Sequence, residues 1–239
     1  MEQQPIIRIR QLIKQYPMGE EKVTALAGVS LDVHPGEICC IFGPSGSGKS
    51  TLLNMMAGME KPSYGVVEIA GTLVSSLSEK ELALFRQKHT GFIFQAYNLL
   101  PGLDALQNVA LPLVFQAVPL KVRNQMAAAM LKQVGLENRL HHFPSQMSGG
   151  QQQRVGIARA FITRPDVIFA DEPTGNLDSK TRIEVMDMMH RFSRALKQTI
   201  ILVTHDPEMA AYADHTVQLL DGKIVKETFA DSYRDLFAA

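Results

Sequence analysis

Charge of one sign is not in excess: 24 lysines and arginines face 24 aspartates and glutamates in 239 residues. Such a balance lacks the general electrostatic footprint of a nucleic-acid or anionic-membrane binder. Long hydrophobic runs are missing too, since none approaches the ~18–20 apolar residues needed to cross a bilayer. The opening Met1-Glu2-Gln3-Gln4-Pro5 has no basic stretch followed by an apolar one, so it does not read as a secretory signal. These absences place the expected site of action in the cytoplasm. There is no internal repeat and no low-complexity segment, which removes solenoids and disordered linkers. Cysteine is scarce: Cys39 and Cys40 stand side by side in the apolar run from Ile38 to Phe42. Neighbouring strand residues point to opposite faces, so the two thiols are poorly placed to bridge each other. Too few metal-ligating residues lie nearby in sequence for a metal site, and the expectation is two buried, reduced core thiols.

What is present points to a folded globular chain. Apolar residues make up 46% of it, enough for a buried core, and charged residues at 20% argue against disorder. The length fits one large domain, or a core carrying a small subdomain.

Strands are expected at Ile6 to Arg10, Ala25 to Val33 and Glu37 to Phe42, the last running into a glycine-rich loop. A helix over Ser50 to Ala57 closes at Gly58. A short strand spans Gly65 to Gly71, and a helix from Ser78 to His89 is capped by Ser78. The apolar strand Phe92-Ile93-Phe94 ends at Gln95. From Ala96 to about Phe143 the chain changes character, with Pro101, Pro112 and Pro119 among helical segments such as Lys121 to Val134, so a helical subdomain inserted into an α/β core is expected. A helix from Ser148 to Ile162, a strand from Val167 to Ala170, a helix from Ser179 to Leu196 and a strand from Thr199 to Thr204 follow. Alternation with continuous apolar strands indicates a mostly parallel sheet covered on both faces. Leu219 to Ile224 reads as a late hairpin with an Asp-Gly turn. The last segment, Phe229 to Ala239, either frays or docks as an amphipathic turn.

The loop Gly43-Pro44-Ser45-Gly46-Ser47-Gly48-Lys49-Ser50 carries the strongest chemistry. Small residues let backbone N–H groups wrap phosphates closely, Lys49 can reach the terminal phosphates, and the Ser50 hydroxyl can ligate Mg²⁺. Its strand before and helix after supply the context that a chance glycine-rich turn lacks. Asp171 and Glu172 follow an apolar strand. Alone, such a pair is more often a helix cap or a solvated corner. With the phosphate loop upstream, Asp171 is expected to hold Mg²⁺ and Glu172 to act as general base on the attacking water. Gln95 and His205 also end apolar strands; Gln95 can ligate Mg²⁺ or water, and His205 can donate to a γ-phosphate. A lone histidine at a strand end is more often structural. Tyr16 is the candidate to stack on adenine, against a plain packing role. Ser148-Gly149-Gly150 opens a helix whose free N–H groups can receive a phosphate; the alternative is an ordinary N-cap with two glycines. Met186, Met188 and Met189 read as core filler or interface.

Taken in order, Gly43 to Ser50, Gln95, Met147-Ser148-Gly149-Gly150-Gln151, Asp171-Glu172, Asp178 and His205 resemble the ATP-binding subunit of ABC transporters. The resemblance covers Tyr16 to about Val225. It implies an α/β fold: a P-loop nucleotide-hydrolase core with a mostly parallel sheet, an N-terminal antiparallel β portion and an inserted helical subdomain at about 96–165, all within one domain over 1–239. It implies that two copies close head to tail around two ATP molecules with Mg²⁺, so that Ser148, Gly149, Gly150 and Gln151 of one copy meet the nucleotide held by Gly43, Ser45, Gly46, Ser47, Gly48, Lys49, Ser50 and Thr51 of the other. Asp178 then couples the two sites. Met147 stands where leucine is usual, a near volume match. The stretches Gly91 to Gln95, Asn98 to Pro101 and Ala170 to Asp178 are similar to the branch of macrolide exporters, lipoprotein-releasing systems and cell-division ATPases. That branch implies a membrane permease partner with a large extracytoplasmic domain, touched by Ala96 to Leu106, and peripheral attachment to the inner face of the membrane. An importer subunit, a soluble ABC ATPase and a nucleotide-binding module without turnover are the alternatives.

Overall fold

The computed structural model describes residues 4–19 and 21–230, so most of the expected C-terminal turn lies outside the described residues. In chain order the elements begin with β1 (Ile7–Met18), β2 (Glu21–Val33), β3 (Ile38–Phe42), α1 (Lys49–Met56), β4 (Tyr64–Ile69), β5 (Thr72–Leu73) and α2 (Glu79–His89). Next come β6 (Thr90–Phe94), α3 (Ala105–Phe115), α4 (Leu120–Gln133), α5 (Gly149–Phe161), β7 (Val167–Asp171) and α6 (Ser179–Leu196). The last are β8 (Thr199–Thr204), α7 (Pro207–Ala210), β9 (His215–Leu220) and β10 (Lys223–Phe229). Two compact units emerge, one of residues 1–86 with 199–239 and one of residues 87–198.

In the first unit, β1 and β2 form an antiparallel pair that runs from Ile7 with Val33 to Met18 with Glu21 and shifts register between Ile9 and Leu12, Leu12 and Ile13, and Lys14 and Gln15. This pairing carries both strands well past their expected ends, and it places Tyr16 in a strand. β4 pairs antiparallel with β1 on its other edge and turns into β5. β3 is parallel to both β8 and β9. A strand with neighbours on both edges and cover on both faces needs an unbroken apolar run, and Ile38, Cys39, Cys40 and Ile41 are all buried. Both cysteines are free, as expected, and burial pushes the Cys40 thiol up to about 12. β9 returns as β10 through Asp221 and Gly222, at φ 46° and 72°, the paired left-handed conformation of a tight hairpin turn.

In the second unit, β6 and β7 run parallel, and Phe92 stacks on Phe94 and on Phe169. α3 continues through Pro112, one of the three prolines set among the expected helical segments. It is well started: Asp104 accepts from the Gln107 backbone N–H at 2.8 Å, and the Gln107 side chain accepts from the Asp104 N–H at 3.0 Å. Buried Val109, Ala110 and Leu113 hold its apolar face, so the bond that proline forfeits does not end it. The buried Asn108 side chain accepts from Leu100 N–H and donates to the carbonyls of Leu100, Leu103 and Asp104, fixing the turn ahead of the helix. α6 matches its expected span, and its methionines 186, 188 and 189 are core residues.

Parallel strand pairs, an antiparallel β portion near the N-terminus and a helical segment between β6 and β7 make this the expected α/β fold. No helix among the described residues is long and apolar enough to cross a membrane.

Candidate nucleotide site

Within the first unit, β3 delivers the chain into the loop 43–48 and α1 follows at once. Phe42 is in register with Thr204 of β8, so Gly43 and His205 leave the same strand edge as consecutive steps beyond a matched pair. The loop is shaped by close approach. A Cβ on Gly43 would lie 2.1 Å from the Leu219 carbonyl oxygen, and one on Gly48 would lie 2.5 Å from that of Ala25. Gly48, at φ 100°, stands at the N-cap of α1 with no side-chain cap, and the first turn holds no acidic residue. The start of α1 therefore has no side-chain cap of its own and, with the positive end of its helix dipole, suits an anion.

Lys49 is buried and donates to the carbonyls of Gly43 at 2.9 Å and Pro44 at 2.8 Å. Its ammonium thus spans the mouth of the loop. The Ser47 hydroxyl is buried without a hydrogen-bond partner, an orphan polar atom within the loop. Ser50 is exposed at the first turn of α1, with Thr51 half-buried beside it. Tyr16 is half-buried: its hydroxyl donates to Glu60 at 2.8 Å, and the Lys14 ammonium lies 5.0 Å from its ring centroid. Burial and the Glu60 contact push its phenol up, while Thr51 pulls the other way. His205 is exposed at the end of β8, ahead of the Asp206-capped α7 that sequence reasoning missed.

The second unit has a parallel construction of its own. Phe94 is in register with Asp171, so Gln95 and Glu172 leave one strand edge together. Glu172 is non-glycine yet sits at φ 44°, a left-handed conformation that local structure must hold. Its carbonyl accepts from Gly175 N–H at 3.0 Å, closing a turn that returns the chain to Gln95. Asn176 donates to the Gln95 carbonyl at 3.0 Å, and the Gln95 side chain donates to Asn176 at 3.4 Å. Gly175 lies against the Gln95 side chain: a Cβ there would lie 2.9 Å from its amide nitrogen and would push that side chain aside.

Ser148 caps α5 as one half of a reciprocal pair, accepting from Gln151 N–H at 3.3 Å while the Gln151 side chain accepts from Ser148 N–H at 3.0 Å. The two glycines behind it are packed rather than loose. A Cβ on Gly149 would lie 2.6 Å from the Tyr97 hydroxyl, and one on Gly150 would lie 2.6 Å from the Thr181 methyl. In front lies an open cleft of about 210 Å³ lined by Ser148, Gly150, Gln151, Arg154, Thr181 and Glu184, among others. Asp178 caps α6, and its bond from Thr181 holds the exposed carboxyl below its usual range.

Four residues that the motif reading passed over fix these loops. Gln153 is fully buried and donates to the Pro173 carbonyl. Arg159, its guanidinium pushed down by burial, holds the Tyr97 and Asn98 carbonyls at 3.0 and 2.6 Å. Tyr97 and Thr181 set the glycine positions. For Gln153 and Arg159 the available signal was helical spacing, which puts polar residues on the inner face of α5.

The profile of the ABC transporter family matches residues 26–175. The chain is 49% identical over 211 residues to an uncharacterized ABC transporter ATP-binding protein of Thermotoga maritima, covering 88% of this chain and 90% of that protein. It is 46% identical over 222 residues to the macrolide export ATP-binding/permease protein of Escherichia coli strain K12, covering 93% of this chain and 34% of that one. The chain thus spans about a third of that relative's length. Among solved structures, a dimeric ATP-binding cassette in a post-hydrolysis state with ADP and Pi superposes with a TM-score of 0.88 at 40% identity, covering 95% of this chain and 99% of that one.

Proposed function

The chain belongs to the ABC transporter family as an ATP-binding cassette with ATPase function, and on that premise we propose that two copies bind two MgATP head to tail and use their hydrolysis to move a membrane permease. The observation that carries this reading is the presence of two phosphate-seeking helix starts in one chain. The first, at α1, is uncapped and preceded by a glycine cradle with an orphan hydroxyl. The second, at α5, carries no acid in its first turn and is fixed by the Ser148–Gln151 cap and by Tyr97 and Thr181 packed on its glycines, with an open cleft lined by Ser148, Gly150 and Gln151 in front of it. A single nucleotide needs one cradle and one lid, and a symmetric dimer supplies each twice.

In this reading Gly43 to Ser50 and Thr51 wrap the phosphates, Lys49 exchanges its carbonyl contacts for phosphate oxygens, and Tyr16 stacks on adenine. Ser50, Gln95 and Asp171 hold Mg²⁺, which when bound neutralises phosphate charge and orients the terminal group. Glu172 takes the proton of the attacking water, and His205 donates to the γ-phosphate. Ser148, Gly149, Gly150 and Gln151 present the α5 start to the partner's ATP, with Asp178 coupling the two sites. Residues 96–165 act as the helical subdomain of a single cassette, and Ala96 to Leu106 touches the permease. Likeness to a macrolide export ATP-binding/permease protein supports an exporter-type permease partner; in the proposal that partner carries a large extracytoplasmic domain and holds the cassette on the cytoplasmic face of the membrane.

The test compares phosphate release by the wild-type chain and Glu172→Gln. Removing a general base is expected to slow turnover by about 100-fold or more while ATP still binds. Undiminished turnover by the variant would remove Glu172 from that role.

A further inference from the structure

Away from the nucleotide loop, three ligand-type side chains meet at the opposite, N-terminal end of β3. Strand pairing sets Cys39 beside His215 of β9, and Glu37 precedes the strand. One ligand atom from each of Glu37, Cys39 and His215 lies within 4.8 Å of the other two. Cys39 is fully buried, His215 is 1% exposed, and the Glu37 side chain is 10% exposed. His215 Nδ1 and Glu37 Oε1 are 2.8 Å apart, yet neither atom makes a hydrogen bond of acceptable geometry, and His215 Nε2 has none either. A buried imidazole and carboxylate left in this state are costly, and an ordinary pair would aim its N–H along the line between them.

The surroundings fix these side chains. Glu37 Oε2 accepts from the His34 backbone N–H at 2.6 Å, which anchors the carboxylate and leaves Oε1 directed inward. The Phe229 ring stacks on the His215 imidazole at 4.1 Å and 21°, covering it from the β10 side. Such anchoring of ligand side chains by their neighbours is what metal sites require. Nitrogen, sulfur and carboxylate oxygen together form the borderline-soft donor set that suits zinc.

We propose that Glu37, Cys39 and His215 form a binding site for a zinc-class divalent cation, with water completing its coordination. Binding replaces the Cys39 thiol proton, which is released to solvent, and joins β3 to β9 by a bond that the backbone ladder alone does not supply. β9 backs the nucleotide loop through the Leu219 carbonyl beside Gly43, so the cation fastens the strand pair on which that loop rests.

The test is an anaerobic cobalt(II) titration of the full, reduced, chelator-stripped chain. The expected result is thiolate-to-cobalt charge-transfer absorption that saturates at about one equivalent and is displaced by zinc. The band should vanish in Cys39→Ser and persist in Cys40→Ser, and His215→Gln should weaken binding by roughly tenfold or more. Zinc at about a hundredfold excess over its Kd should also raise the wild-type melting temperature by about 5 °C, and not that of Cys39→Ser. Absence of the band in the wild-type chain, or its survival in Cys39→Ser, overturns the proposal. If no band forms but His215→Gln lowers the melting temperature, Glu37 and His215 are an ion pair and the cation site is refuted. None of these readouts involves ATP, so they fail or succeed independently of the cassette function.

Discussion

Two helices of this chain begin on glycine, and they solve the same problem in opposite ways. α1 leaves its N-terminus to whatever arrives, with Gly48 at the cap, no side-chain acceptor, and Lys49 held on loop carbonyls. α5 satisfies its own start through the Ser148–Gln151 pair, and its glycines are dictated by Tyr97 and Thr181 packed against them. The first is an incomplete site that a phosphate finishes. The second is a finished surface, rigid before any ligand meets it. A cradle that must admit and release nucleotide benefits from exchangeable contacts; a lid that must recognise a bound phosphate benefits from a fixed shape.

The contrast is broken most severely at the cradle. Lys49→Ala removes the one buried ammonium of the loop, and ATP binding should weaken about 100-fold, or ~2.7 kcal/mol, in a fluorescent-nucleotide titration. Next comes the lid's packing. Gly150→Ala should cost about 1–3 kcal/mol of overlap with Thr181, less the ~0.5–1 kcal/mol that alanine gains in a helix. Adding Thr181→Ser removes the opposing methyl and should restore most of that loss in urea unfolding; independent, additive effects would show that the close approach is not what demands glycine. Ser148→Ala deletes the cap and should destabilise by about 1 kcal/mol, with little change in nucleotide affinity of the isolated subunit. The smallest effect concerns Asp178. Its carboxyl is held below the usual 3.8 chiefly by the side-chain bond from Thr181, so its contribution to stability is present above the ordinary value and is lost as pH falls through the lowered one. Melting temperatures taken between about pH 5 and about pH 3 should therefore fall less steeply for Asp178→Asn than for the wild-type chain.

Periodicity and caps made much of the fold legible from sequence. α6 and β8 match their expected spans because an amphipathic run and an unbroken apolar run leave little choice, and Asp178 and the chain's polar turns mark their ends. Pairing was less legible. β1 and β2 extend each other by hydrogen bonds between residues whose side chains give only a weak pattern, and α3 overrides Pro112 through its cap and buried face. At the candidate site the motif residues were visible, but the residues that hold them were not. Asn176 against Gln95, Gln153 against Pro173 and Arg159 against Tyr97 act through backbone carbonyls, which no side-chain pattern reports. Cys39 illustrates the limit best, since its neighbour His215 is brought alongside by strand pairing alone.

The central claim is that the cradle of one copy and the lid of another share a nucleotide. It is tested most directly by the molar mass of purified Glu172→Gln in solution by light scattering, with ATP and with ADP. The account predicts a monomer with ADP and a doubled mass with ATP, the doubling being lost when Gly150→Ala is added. A mass that stays monomeric at saturating ATP, in protein shown to bind that ATP, would contradict it.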